Sequence, residues 1–483
     1  MNKKVVKTLA AILAGATILS GCGNGLGGSG KMVTIKWYIP ALLTGNGKDA
    51  VFAKVNEILA EKYNLQLDLV AIDSGNYDQK MQAINAAGEE YDLAYTAHWK
   101  NNYVANVTND IFVELTEEDL KEYAPNTFEL TGSAAWDATR VNGKIYAVPN
   151  WQMQTRATAL IAPQEYLDLT GTDLAAIKDY DGITEYLRKL HAVKPQVNEI
   201  PGFWSQVITH HNMVEVYEER MPGVVDFTKE GKPVVFNQYE SQDFADYVAT
   251  RNSWIAEGLV VDQYIPDSKA GSKEFKTQAM TAHQWSPMVE STVESSSGYD
   301  HGASSFSEII MTPSGVTAAL TGISTTSKHP MEALKMIEII NSDPEIMNLI
   351  AYGIEGVDYD KVSDNQIKLR EDKQYAGPAL YAIGSMANAY LTETQSPTLI
   401  EDMQAHNNSA IASPLMGFNA NLENVTLEVA NCKSVVSEYL EMLDLGLYGP
   451  DKLAEFNQKL KTAGVDTIIN ELQKQIDEWY ATK

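Results

Sequence analysis

The chain has 483 residues, of which 44% are hydrophobic, and its formal charge is −27. Such an acidic surface repels phosphate backbones and anionic lipid headgroups, which argues against nucleic acid as a partner. A chain of this length is long enough for roughly two or three domains with ample apolar cores.

The N-terminus predicts a signal peptide over residues 1–21. Three lysines precede an apolar run, Leu9 to Leu19, which is too short to remain as a membrane-spanning helix. The run ends in Leu19-Ser20-Gly21-Cys22, which resembles a bacterial lipobox. The resemblance implies that Cys22 is lipidated and becomes the first mature residue. We therefore expect the protein on the extracellular face of the cytoplasmic membrane, or its periplasmic side in a Gram-negative cell, held there by lipid alone.

Residues 22–31 are rich in glycine and predict a flexible tether. The tether contains the dinucleotide-loop pattern Gly23-x-Gly25-x-x-Gly28, but no strand precedes it and no helix pattern follows it, so we reject that interpretation. Once Cys22 is lipidated, Cys432 has no disulfide partner. We expect Cys432 to be a buried structural residue on a helix.

The mature chain begins with an alternation of strand and helix patterns. Strands are predicted at Val33–Tyr38, Leu65–Ile72 and Tyr91–Thr96, and two amphipathic helices, beginning near Val51 and Tyr77, connect them. Short links between such elements predict a parallel sheet covered by helices. Ligands of open α/β sheets bind beyond the carboxyl ends of strands, so the segments after Tyr38 and Thr96 become a candidate site.

A second unit follows the first. Its predicted strands are Lys144–Pro149, Ala157–Ala162 and Val316–Ser324, and its predicted helices are 181–192, 240–257, one starting at Pro330, 450–463 and 466–480.

The order of these segments resembles the extracellular solute-binding proteins of carbohydrate ABC importers. The resemblance covers most of the mature chain and rests on Asn76–Met81 with Gly88–Leu93, Gly143–Pro149, Gln278–Trp285 and Gly322–Pro330. Tyr352–Gly356 and the tail from Gly417 to Trp479 are similar to a lipoprotein branch common in Gram-positive bacteria.

The resemblance implies an α/β, periplasmic-binding-protein-like fold (type II) with two lobes and a ligand cleft between them. We expect the first lobe to comprise residues 32–147 and 280–325, and the second lobe residues 148–279 and 326–483. It further implies a non-enzymatic receptor without cofactor or metal, most simply a monomer, which passes a sugar or oligosaccharide to ABC permease subunits.

A sugar site needs flat aromatic rings for the sugar faces and polar groups for the hydroxyls. Trp285, at the end of a predicted strand, is the first candidate, and the resemblance also indicates it. Trp99 and Trp151 lie in polar segments after strands, whereas Trp37 lies inside a strand and could equally face a helix. Arg156 could bind an acidic sugar, although a salt bridge is the simpler interpretation. The remaining ligand-binding candidates are His98, His283, Gln284, Asn150 and Tyr95.

Trp254 shares a helix with Phe244 and Tyr247, which predicts a core position. Metal-binding, phosphate-binding and nucleophile-elbow motifs are missing from the sequence. The alternatives that stay open are a receptor for a sugar acid or a peptide and, from a different class, a membrane-tethered glycoside hydrolase. The identity, length and charge of the ligand are not readable from the sequence.

Overall fold

The computed structural model describes residues 31–262 and 278–482. The predicted signal peptide, the predicted lipidation site Cys22 and the predicted tether up to residue 30 lie outside the described residues. Within the described part of the chain, no helix is both long and apolar enough to cross a membrane.

The first lobe is built on a five-stranded sheet. Its strand order is Leu65–Ile72, Val33–Pro40, Leu93–Thr96, Leu320–Ile323 and Ala147–Pro149. The first three strands are parallel, as predicted, and Leu320–Ile323 runs antiparallel to both of its neighbours. The helices of this lobe are Lys48–Tyr63, Tyr77–Ala87, Tyr103–Thr108, Glu117–Tyr123, Pro125–Thr131, Ser133–Ala138, Pro330–Ser342 and Pro344–Tyr352.

Local sequence signals set several helix ends. Lys48–Tyr63 ends at Asn64, which adopts the left-handed conformation, and Glu117–Tyr123 begins with a capping box between Thr116 and Asp119. Minor elements of the first lobe are the strands Arg140–Val141, Lys144–Ile145, Tyr359–Lys361, Gln366–Leu369 and Leu391–Thr392, and the 3₁₀ turns Leu380–Ala382 and Met386–Asn388.

The second lobe contains two three-stranded sheets. One has the order Thr281–Gln284, Thr158–Pro163, His301–Ser305, and the other Phe236–Asn237, Gly223–Asp226, Met213–Glu215. The helices are Gln164–Thr170, Tyr180–Val193, Trp204–Val207, Gln242–Ala256, Val289–Ser297, Thr426–Asp444, Pro450–Ala463 and Val465–Tyr480, with 3₁₀ turns at Leu174–Ala176, Gln238–Glu240 and Glu423–Val425. Trp254 and Cys432 are both fully buried in the core of this lobe, as predicted.

The packing corrects two parts of the predicted division between lobes. Helix Pro330–Ser342 shares its core with Ile35 and Leu93, so it belongs to the first lobe and not to the second. Strand Thr281–Gln284 pairs with Thr158–Pro163, so it belongs to the second lobe and not to the first. An amphipathic pattern shows that a helix has an apolar face but does not show which core will bury it.

Three segments connect the lobes in the described part of the chain, and together we call them the hinge. A small sheet joins them, in which Thr155–Arg156 pairs with Ile310–Met311, and Ile310–Met311 pairs with Ile411–Ala412. Helix Leu399–Ser409 leads into the third segment, and helix Pro313–Val316 follows the second. The predicted strand Val316–Ser324 is therefore shorter than expected, because its first residue completes this helical turn.

Candidate functional site

The strand register of the first lobe brings several chain segments to one edge of the sheet. Thr96 and Pro149, the last residues of their strands, both lie opposite Leu320, and Trp37 lies opposite Leu93, which brings Pro40 level with Thr96. The segments after Pro40, Thr96 and Pro149 therefore leave the sheet at the edge from which the chain enters the hinge. This is the position at which open α/β sheets bind ligands.

Trp99 lies at this edge and has an ordered but accessible ring. Its indole Nε1 donates a hydrogen bond to the carbonyl of Ala318 at 2.9 Å. The ring of Tyr95 packs edge-on against the indole, with 6.5 Å between the ring centres. The ammonium of Lys100 lies 5.4 Å from the ring centre and is itself bound to the carbonyl of Ser74. Trp99 is nevertheless 49% exposed. A fixed, exposed aromatic ring suits stacking against a sugar face, because little conformational entropy is lost on binding.

Tyr95 and Asn150 support this edge and do not face solvent. The buried Tyr95 hydroxyl donates to the carbonyl of Ala318 at 2.9 Å. The Asn150 amide donates to the carbonyl of Tyr381 at 2.7 Å and accepts from the hydroxyl of Thr321 at 2.9 Å. Both side chains have partners in the protein. Their predicted role as direct ligand contacts is therefore not supported, and they hold in place the backbone to which Trp99 is bonded.

Two of the predicted tryptophan platforms are packing residues in this structure. Trp37 is 1% exposed and lies in the first-lobe core. Trp151 is 4% exposed and packs among Leu391, Leu399 and Met403. Trp37 is buried because its strand has a paired neighbour on each side and is covered by helices. Trp151 is buried because the turn Met386–Asn388 and helix Leu399–Ser409 pack over the first crossing.

Trp285 occupies the matching edge of the second-lobe sheet. Gln284 pairs with Thr158 at the hinge end of the central strand, and the amide of Trp285 donates to the carbonyl of Ala157 at 2.8 Å. The Trp285 ring is half-buried against Ala159, Ile161 and Val289. The prediction that Trp285 lies on the first lobe is wrong, because its strand pairs with the second-lobe strand.

His283 and Gln284 are both exposed beside Trp285. The side-chain amide of Gln284 donates to the carbonyl of Thr155 at 2.8 Å, which links this edge directly to the hinge. Met288, four residues after Gln284, packs against the cluster that contains Trp151. The loop after Trp285 therefore reaches the first crossing between the lobes.

Arg156 forms a salt bridge, the simpler of the two predicted roles. Its Nη1 donates to Glu215 at 2.8 Å and its Nη2 to the carbonyl of Ser205 at 2.9 Å, while Glu219 lies 3.6 Å from Nη2. Glu215 has a side chain that is only 7% exposed. Because this arginine already has two carboxylate neighbours, it is poorly suited to bind an acidic ligand.

His98 lies next to Trp99 on the first-lobe edge. Its backbone amide donates to the carbonyl of Thr317 at 2.9 Å, and its side chain is exposed. Desolvation by the surrounding protein lowers the pKa of His98, and the backbone of Thr317 and, to a smaller extent, the carboxylate of Glu219 oppose that shift. Glu219 belongs to the second lobe, so the two lobes come within electrostatic reach of each other at this point.

The sequence and the fold are similar to those of known proteins. The full chain aligns with a carbohydrate ABC transporter substrate-binding protein of Streptococcus pneumoniae serotype 4 at 28% identity, covering 100% of this chain and 99% of that protein. Crystal structures of the N-glycan transport solute-binding protein of the same species match at 23% identity with a TM-score of 0.78, and at 24% identity with a TM-score of 0.64 in the complex with Man5GlcNAc. Each match covers 93% of this chain and 99% of that chain.

An extracellular solute-binding protein from Bifidobacterium longum subsp. infantis also shares the fold, with a TM-score of 0.60 at 14% identity over 93% of this chain and 99% of that chain. A family model described as a domain of unknown function, DUF3502, matches residues 414–481. Over its full length the chain is therefore similar to the carbohydrate substrate-binding protein of an ABC transporter, and it shares the fold of extracellular solute-binding proteins. The match to DUF3502 covers the C-terminal helices of this chain, which pack in the second lobe.

Solute-binding proteins of this family are receptors and not enzymes. In residues 31–262 and 278–482 of this chain, no group of three histidine, cysteine or acidic side chains is arranged to hold a metal ion. The predicted candidates that reach the two hinge-facing edges with exposed or half-exposed side chains are Trp99, His98, Trp285, His283 and Gln284.

Glu219 and the third crossing have no distinct signal in the sequence. Glu219 stands in an acidic run, Glu218-Glu219, which looks like an ordinary solvated surface in a chain with 64 acidic residues. The third crossing is secured by Asn407, whose side chain binds the backbone of Gln154 and Gln152 at 3.1 and 2.8 Å. Such a contact between residues about 250 positions apart has no local sequence signal.

Proposed function

We propose that this solute-binding protein captures an oligosaccharide between its two lobes outside the cytoplasm and delivers it to the permease of an ABC importer. The N-glycan transport solute-binding protein, which shares the fold, forms complexes with Man1GlcNAc and Man5GlcNAc, which are ligands of this class. Their sequence identity to this chain is low, so the proposal depends on the residues at the hinge-facing edges.

The observation that carries the proposal is the arrangement of Trp99 and Trp285. Each ring lies at the hinge-facing edge of its own lobe and is accompanied by exposed polar groups, His98 for Trp99, and His283 and Gln284 for Trp285. Aromatic rings with polar neighbours on two facing walls provide the stacking and hydrogen bonding that a sugar chain needs. Rotation about the hinge would bring the two walls together around the ligand.

The membrane location is a further part of the proposal. The Cys22 motif supports lipid anchoring, and the glycine-rich tether up to residue 30 would give the folded lobes freedom to reach the permease. We expect the receptor to act as a monomer.

A thermal-shift panel tests this function directly. The purified mature chain would be melted with neutral glycans, among them Man1GlcNAc and Man5GlcNAc, and with an acidic oligosaccharide and a short peptide as alternatives. A ligand at 100 times its dissociation constant stabilises the fold by about 2.7 kcal/mol, which is readily measured as a rise in Tm. Stabilisation by glycans without turnover supports a receptor. Release of cleaved sugar would instead indicate a glycoside hydrolase, and stabilisation by the peptide alone would overturn the carbohydrate proposal.

A further inference from the structure

Glu219 is an accessible carboxylate held near the hinge. It lies in the loop after strand Met213–Glu215, and its side chain is 56% exposed. Its Oε1 is 3.6 Å from Nη2 of Arg156, which lies in the first crossing between the lobes. The ion pair therefore places this carboxylate beside the hinge.

Arg156 orients Glu219 without neutralising the site. The same guanidinium donates to Glu215 at 2.8 Å, and that carboxylate is almost fully buried. One positive charge is thus shared between two negative charges. The carboxylate of Glu219 therefore stays negatively charged on its exposed side, where its oxygens can accept hydrogen bonds.

Glu219 also lies within electrostatic range of the first lobe. The carboxylate acts electrostatically on His98, and His98 is the neighbour of the exposed Trp99. A ligand stacked on Trp99 would therefore extend toward the acceptor on the second lobe.

The backbone beside Glu219 adopts an uncommon conformation. Arg220 has a φ of 63°, in the left-handed region that residues with a Cβ rarely adopt. The hydroxyl of the buried Tyr239 donates to the carbonyl of Arg220 and so stabilises this turn. Such conformations are energetically unfavourable and persist where the surrounding structure fixes them, often next to ligand sites.

From these observations we infer that Glu219 is a ligand-binding residue of the second lobe, where it accepts hydrogen bonds from adjacent hydroxyl groups of a neutral sugar, and that Arg156 is its positioning residue. This inference rests on the proposed function and narrows the ligand class. A sugar acid would bring another negative charge to a site where two carboxylates share one cation, so the site disfavours acidic glycans.

The neighbouring Glu218 provides a matched control. It is exposed to a similar extent, but it pairs with Lys433 at 2.9 Å and not with Arg156. Glu218→Gln removes the same charge from the same loop without touching the hinge. Exposed pairs of this kind contribute little energy, so we expect its affinity to stay within about two-fold of the parent.

The experiment is calorimetric titration of the full mature chain with the neutral glycan that gives the largest thermal shift, and with tri-galacturonate as the acidic probe. Loss of a hydrogen bond to a charged group predicts that Glu219→Gln binds the neutral glycan roughly ten-fold or more weakly, with an unchanged Tm. Arg156→Lys should lower the affinity of the parent chain. The same substitution should cause little further loss of affinity in the Glu219→Gln variant, because Arg156 acts through Glu219. A purely structural role for Arg156 would weaken binding equally in both backgrounds.

The results separate this inference from the proposed function. Three results would each overturn the role of Glu219 while leaving a glycan receptor intact. The first is an affinity of Glu219→Gln for the neutral glycan that equals that of the parent, and the second is an equal loss of affinity in Glu218→Gln. The third is tighter binding of tri-galacturonate than of the neutral glycan. Failure of the parent chain to bind any glycan would overturn the proposed function and this inference together.

Discussion

Replacing Trp99 by alanine removes an aromatic ring that the protein holds rigid and yet leaves accessible. The ring is fixed by the hydrogen bond from Nε1 to the Ala318 carbonyl, by the edge of Tyr95 and by Lys100. If Trp99 stacks on the ligand, this substitution should lower affinity far more than stability. If it is only a surface residue, neither property should change much.

The magnitude follows from the exposed area. A tryptophan side chain offers up to about 250 Å² for burial. With 49% of Trp99 exposed, roughly 120 Å² remains available to a ligand. A sugar ring on one face would cover about half of that area, which at about 25 cal/mol per Å² contributes about 1.5 kcal/mol. The expected loss of affinity for Trp99→Ala is therefore about ten-fold.

Titration calorimetry with the best glycan measures this loss, and melting curves of the same samples measure stability. Trp254→Ala is the matched control, because Trp254 is fully buried in the second-lobe core. It should lower stability by about 3–5 kcal/mol and leave affinity nearly unchanged in the molecules that stay folded. Trp99→Ala with parent-like affinity would refute the stacking argument, and so would a Trp254→Ala variant that loses binding but keeps its Tm.

Further expectations concern other parts of the chain. Cys22→Ser should release the protein from the membrane fraction, and retention of that variant, with no lipid mass on the parent, would contradict anchoring. Burial, aided by the neighbouring His210, lowers the pKa of His211 to about 4. The pKa of this histidine in the unfolded chain is about 6.5, so the unfolded state binds a proton that the folded state excludes. The free energy of unfolding should therefore fall by roughly 2–3 kcal/mol as the pH drops from about 6.5 to 4. Urea unfolding across that range should show a smaller slope of the free energy of unfolding against pH for His211→Phe than for the parent. Cys432→Ala should fold and bind glycan normally, and loss of binding at unchanged Tm would show that Cys432 is more than a buried apolar group.

The first-lobe sheet could be predicted because its signals are local. Strand Leu65–Ile72 has the predicted bounds, and helix Pro450–Ala463 in the second lobe also does, since Pro450 starts it and Gly464 ends it in the left-handed conformation. Periodicity of two or 3.6 residues, glycine and proline act within a few positions of the chain. Elements governed by such signals are therefore readable without any tertiary contact.

The assignment of elements to lobes could not be predicted in the same way. Residues 330–342 present an apolar face whose partners, Ile35 and Leu93, lie hundreds of positions earlier. Strand Thr281–Gln284 has an ordinary strand pattern, and only its antiparallel pairing with Thr158–Pro163 places Trp285 on the second lobe. Long-range pairing is set by the whole chain, because each local pattern is compatible with several partners.

The tryptophans of the site show where this limit falls. Trp99 and Trp151 both follow a strand, and both stand in polar segments, so their sequence contexts are nearly equivalent. Residues 386–388 and 399–409 cover Trp151, whereas Trp99 projects from an edge that the described residues leave about half open. The difference between a packing residue and a binding platform is thus decided by whether a distant segment folds over the ring.

The same reasoning applies to Glu219, whose sequence neighbour Glu218 is chemically identical. The contact with Arg156 at the hinge is what distinguishes them, and the paired substitutions of these two glutamates test that distinction directly.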